Sequence, residues 1–137
     1  EEANCVFVSP CLDGFVLVIG LPRFPEQGLA GAFRQVQAFA THRVTEYHAW
    51  ARWDSGTLER MYVYDGSRGV VTVQTGELTA QEIALGFGRF PQKGREDRCE
   101  ANPTEEDVLD LAAAWGVDPR MEAAAYPPSA GWICTVR

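Results

Sequence analysis

Three residues with complementary chemistry recur along one short segment: Glu46, His48 and Arg52 alternate with Trp50 between Val44 and Trp53. In an extended strand side chains point alternately to opposite faces, which puts Val44, Glu46, His48, Trp50 and Arg52 together and Thr45, Tyr47, Ala49, Ala51 and Trp53 on the reverse. A carboxylate, an imidazole and a guanidinium in line are an acid, a base and an anion clamp, to which Glu59 and Asp65 of the following segment add carboxylates. The same composition describes a partner-binding face, because Trp, Tyr and Arg dominate interface hot spots. A solvated sheet face with cross-strand ion pairs is the third possibility.

Other chemistries find little support. His42 and His48 are the two histidines; six residues apart on one unbroken strand they would lie ~20 Å from each other, too far to share a metal ion. The cysteines Cys5, Cys11, Cys99 and Cys134 include no C-x-x-C pair, and of them only Cys99, beside Arg98, has a cation adjacent in the sequence to lower its thiol pKa. Gly86-Phe87-Gly88 follows a predicted helix and lacks the later glycine of a dinucleotide loop, and no G-x-S-x-G, H-E-x-x-H or EF-hand pattern occurs. No cofactor and no metal are expected. An even cysteine count permits disulfides. With a first residue that is not Met and no apolar leader stretch, the expectation is a bridge from Cys5 or Cys11 to Cys99 or Cys134 and a secreted or periplasmic setting.

The elements that hold these residues are partly readable. Asp54-Ser55-Gly56-Thr57 separates two alternating segments and predicts a β-hairpin, with Trp53 opposite Leu58, Arg52 opposite Glu59, Trp50 opposite Met61 and His48 opposite Val63. A turn at 65–69 leads into a strand at Val70 to Gln74, completing an antiparallel meander over Val44–Gln74. Cys5 to Ser9 and Phe15 to Ile19 read as continuous apolar strands, hence covered on both faces. Gly131 to Val136 reads as a last strand closing the sheet.

Leu29, Phe33 and Val36 recur at helical spacing after Pro25. Thr79-Ala80-Gln81-Glu82 is a capping box opening a short helix. Residues 88–103 lack periodicity and predict a long exposed loop. Thr104 opens the clearest helix, with Glu105, Glu106 and Asp107 at its positive end, Val108, Leu111, Ala112 and Trp115 on one face, and Gly116 as its stop. Asp118-Pro119 restarts a helix ended by Tyr126-Pro127-Pro128; Met121 to Ala125 lacks the basic and amide side chains of a DNA-reading helix, so a packing hairpin is expected. The resulting architecture is a single α+β domain over residues 1–137, an antiparallel sheet of about five or six strands with two or three helices packed on it.

Composition narrows the function. At 137 residues and 46% hydrophobic the chain suffices for one stable core. The longest apolar run, Phe15 to Leu21, is far shorter than the ~20 residues of a membrane helix. A net charge of −7 opposes a phosphate-rich partner, and Lys93, Arg95 and Arg98 are interleaved with Glu96, Asp97 and Glu100. The balance therefore points away from nucleic acid and membrane and toward a basic protein partner. The general character, small, acidic, aromatic and without catalytic signature, is an analogy of type to bacterial toxin-neutralising immunity proteins. The expected function is a non-enzymatic protein-binding domain of inhibitor or immunity type, anchored by Trp50 with His48, Arg52, Glu59 and Met61 around it. A Trp50 sealed in the core would remove this reading in favour of the alternative, a small-ligand-binding protein or hydrolase using the Glu46, His48, Arg52 face.

Overall fold

Two antiparallel sheets, rather than one, organise the chain. A computed structural model describes residues 4–20, 27–121 and 129–136. In the first sheet, β1 (Asn4–Leu12) lies between β2 (Phe15–Ile19) and β7 (Trp132–Val136); in the second, β3 (Gln35–His42), β4 (Tyr47–Asp54), β5 (Thr57–Asp65) and β6 (Val70–Thr75) form a meander in chain order. The α+β class and the antiparallel meander are as expected, while the single sheet of five or six strands is corrected to sheets of three and four. The reason is β3. Val36, Ala38 and Ala40 alternate with Gln37, Phe39 and Thr41 at period 2, and this strand takes the edge beside β4. The last strand pairs instead with β1, setting Val6 opposite Cys134, Phe7 opposite Ile133 and Val8 opposite Trp132.

The helix expected over Leu29, Phe33 and Val36 is correspondingly short. α1 spans Gln27–Ala32, and Val36 faces Trp53 across the β3–β4 ladder. Gly28 and Gly31 each cost a helix about 1 kcal/mol relative to Ala, so the strand wins the residues beyond Ala32. Ala30 is buried against the sheet, joining Ala38, Ala51 and Trp53 in a small core on one face of the meander.

The central hairpin forms where expected but shifts register. Ser55 and Gly56 both hold positive φ, 49° and 81°, as a two-residue turn with inward twist requires. Trp53 opposes Leu58; from there Glu59 is an extra residue, and Arg52 opposes Arg60, Ala51 Met61, Trp50 Tyr62 and His48 Tyr64. Arg52 and Glu59 still form an ion pair, 3.0 Å from Nε to Oε2, across the bulge. The bulge turns Arg60 and Tyr62 onto the Trp50 face and Met61 to the reverse. It needs Gly76, at φ 74°, where any Cβ would collide with the Glu59 carbonyl.

That Trp50 face carries the main core: Trp50, Tyr62, Tyr64 and Val71 lie beneath Phe87, Phe90, Val108, Leu111 and Trp115. The cover is α2 (Ala80–Ala84), α3 (Glu105–Trp115) and two 3-10 turns at Phe87–Arg89 and Glu96–Arg98. Residues 88–103 are thus exposed only in part: Lys93, Gly94, Arg95, Asp97, Arg98 and Glu100 stay at the surface while the two ends of the segment enter the core. Phe90, Pro91 and Pro103 are buried in it. Arg89 holds it in place, stacked 4.4 Å over Phe90 and 2.7 Å from Asp107. An irregular segment has no period to read, yet its apolar side chains fill the core.

The expected capping box at Thr79 forms, and a second one opens α3. In α3 the Thr104 hydroxyl accepts from the Asp107 amide at 3.3 Å and the Asp107 carboxylate accepts from the Thr104 amide at 2.8 Å. Thr104→Ala is expected to cost about 1 kcal/mol, read as a lower urea midpoint with unchanged slope. After Gly116 the chain turns at Pro119–Arg120; the remainder of the expected second helix, residues 122–128, lies outside the described residues. No described helix is long and apolar enough to cross a membrane.

Candidate functional site

The structure divides the Glu46, His48, Arg52 constellation. β4 begins at Tyr47, so Val44 and Glu46 belong to the β3–β4 turn, where Glu46 adopts a left-handed φ of 50°. From there its carboxylate folds back to His48, 3.3 Å from Oε2 to Nε2, while His48 Nδ1 lies 2.9 Å from Thr41 Oγ1. Arg52 sits four residues further along β4, ~13 Å away at strand spacing. Its guanidinium lies 5.9 Å from the Trp115 ring, and its buried Nε faces Glu59 without the alignment of a hydrogen bond. Acid and base are therefore together; the anion clamp is elsewhere.

Glu46 and His48 line a shallow open groove with Arg43, Thr104, Glu105, Glu106 and Leu109, between the β3–β4 turn and the start of α3. Arg43 pairs with Glu105 across it, and that hydrogen bond raises the guanidinium pKa above its ordinary value. His48 is 1% exposed with both ring nitrogens engaged, so it presents no lone pair to the groove. None of the lining residues is a serine or cysteine nucleophile. Chemically the groove can pair with charge; it has no poised nucleophile and base.

His42 lies on β3 and not on the strand of His48, and its Nδ1 is 2.9 Å from Thr45 Oγ1 in the turn. Among the described residues no three His, Cys, Asp or Glu side chains gather to hold a metal ion.

The expected anchor, Trp50, is 1% exposed and cannot touch a partner. It stacks on Tyr62 at 4.4 Å between ring centroids and donates from Nε1 to Glu82 Oε1 at 2.8 Å. Here lies a network that reading along the strand missed. Arg60 donates from Nε to both Glu82 oxygens at 3.0 and 3.1 Å, with Nη2 2.9 Å from Oε1, and from Nη1 to the Thr75 and Gly76 carbonyls. Glu82 Oε2 also accepts from the Thr79 amide at 2.8 Å. The available signal was the Thr79–Glu82 capping box, one half of the network; the other half depends on the bulge at Glu59. With neither Arg60 nor Glu82 reachable from solvent, the network is structural. Met61, half-buried, packs against the Ala51 core, while Glu59 remains exposed.

Tyr62 completes this region by donating to the Pro91 carbonyl at 2.9 Å. Burial, and secondarily Tyr64, pushes its phenol far above the ordinary value. A raised folded pKa means that the stability is fully present below the unfolded phenol pKa and is lost as pH rises through the folded one. Tyr62 is therefore expected to ionise with alkaline unfolding and not before it. Absorbance titration should show the same pre-transition phenolate signal in Tyr62→Phe as in the wild type; a smaller signal in the variant would contradict the assignment.

Large exposed apolar side chains collect instead on the β2-β1-β7 sheet: Phe7, Val16, Val18, Ile19, Trp132 at 61% and Ile133 at 78% exposure. The expectation that β1 and β2 are covered on both faces fails, although Val6, Ser9 and Leu12 are buried. The expected disulfides are not formed. All four cysteines are free, with Cys5, Cys11 and Cys134 exposed. Cys5 opposes Thr135 and Cys134 opposes Val6, which puts these two thiols on opposite faces of adjacent strands. Cys99 follows the second 3-10 turn, 3.9 Å from Asn102 Oδ1. Comparison with protein-family profiles, curated proteins and solved structures finds no match at significance.

Proposed function

We propose that this chain is a non-enzymatic protein-binding domain of inhibitor type, and that it meets its partner through the β2-β1-β7 sheet rather than through Trp50. The observation that carries the reading is the exposure of Trp132, Ile133, Val16 and Ile19 on one small sheet. Alternation puts Val16, Val18 and Trp132 on one face and Phe7, Ile19 and Ile133 on the other. Exposed apolar side chains gathered in this way mark interaction sites, and Trp, here on the edge strand β7, is among the residue types most enriched in hot spots. The partner's sign follows from charge. The chain carries −7 overall. Position 116, which follows α3, abuts Phe15 of β2, and next to it Asp118, Asp110 and Glu106 surround the single cation Arg120. An acidic chain with exposed apolar strands fits a basic protein, whose approach the field accelerates.

The test is capture of partners from the host on the immobilised protein, followed by titration of each purified candidate. Trp132→Ser, on the Val16 and Val18 face, should weaken a true partner by at least about 2 kcal/mol, roughly thirtyfold, and Ile133→Asp, on the opposite face, should weaken it much less. Association should slow as salt rises. Binding that is indifferent to both substitutions removes the sheet as the interface.

A second reading, a small ligand in the groove, is favoured by two observations: Trp50 is sealed in the core, the outcome set against the Trp50-anchored reading, and Glu46 contacts His48 beside Arg43. On that reading Arg43→Ala and Glu46→Gln abolish ligand-induced thermal stabilisation while Trp132→Ser leaves it intact.

A further inference from the structure

We draw no further inference here: the strongest candidate, the groove between the β3–β4 turn and the start of α3 where Glu46, Glu105 and Glu106 gather around Arg43, is an acidic cluster already neutralised in part by the chain's own cation, with no second observation in the structure that points to a ligand.

Discussion

Replacing Glu82 by alanine is expected to lower the free energy of unfolding by about 3–5 kcal/mol, a large fraction of what a domain of this size possesses. The carboxylate is wholly buried and accepts from Arg60, Trp50 and the Thr79 amide at once. Its removal leaves the Arg60 guanidinium, 1% exposed, with the Thr75 and Gly76 carbonyls as its hydrogen-bond partners among the described residues and the Tyr62 ring 5.8 Å away. An uncompensated buried charge is costlier than the pair was favourable. The same reasoning predicts the rescue: Arg60→Met with Glu82→Leu removes both charges, and its stability should return most of the way to the wild type. Urea denaturation followed by tryptophan fluorescence measures all three proteins. If the double variant were no more stable than Glu82→Ala, the loss would come from packing or capping and not from the stranded charge.

That network also shows where the sequence stopped being legible. Ser55-Gly56 could be read because a two-residue hairpin turn demands positive φ at both positions, Thr79 because a capping box is a local pattern, and Thr104 because acidic residues mark the first turn of a helix. The bulge at Glu59 could not. Whether Arg60 faces the Trp50 side or the Ala51 side is decided by a carboxylate 22 residues further on, and strand-local reasoning favours the unbulged register that pairs Arg52 with Glu59. The strand β3 was hidden for a different reason: Leu29, Phe33 and Val36 happen to fall at helical spacing, although Leu29 and Phe33 are exposed and Val36 lies in a ladder. A period of 3.6 supported by three residues is weak evidence against an eight-residue alternation that begins inside it.

The candidate site suffered from an ambiguity of composition. An alternating strand bearing His, Trp and Arg looks alike whether solvent, a partner or the protein's own helices cover it. Here the cover comes from Phe87, Phe90, Val108, Leu111 and Trp115, and Phe90 belongs to a segment with no periodicity to announce it. Conversely, the continuous apolar runs of β1 and β2 read as buried on both faces, yet they leave Phe7, Val16 and Ile19 exposed. Apolar content fixes which segments need cover without saying whether this chain supplies it.

The two tryptophans at the centre of this reversal should separate cleanly on mutation. Trp50→Ala removes a side chain that stacks on Tyr62, packs against Phe87 and Phe90, and donates to Glu82. A cavity of that size costs about 3–5 kcal/mol, and the lost donor leaves Glu82 less well satisfied. With a urea slope of about 1–3 kcal/mol per molar for small domains, the midpoint should fall by more than about 1 M. Trp132→Ala, at a position 61% exposed at one edge of its sheet, should stay within about 1 kcal/mol of the wild type. Binding should invert the order. Any affinity lost in Trp50→Ala should equal the loss of folded fraction, since apparent dissociation constants scale inversely with the competent population, and an excluded osmolyte that refolds the variant should restore it. The affinity lost in Trp132→Ala should persist at full folding. Were Trp50→Ala to fold like the wild type and yet fail to bind, the contact would lie on the β4 face after all; were Trp132→Ala to unfold the protein, its sheet would be core and not interface.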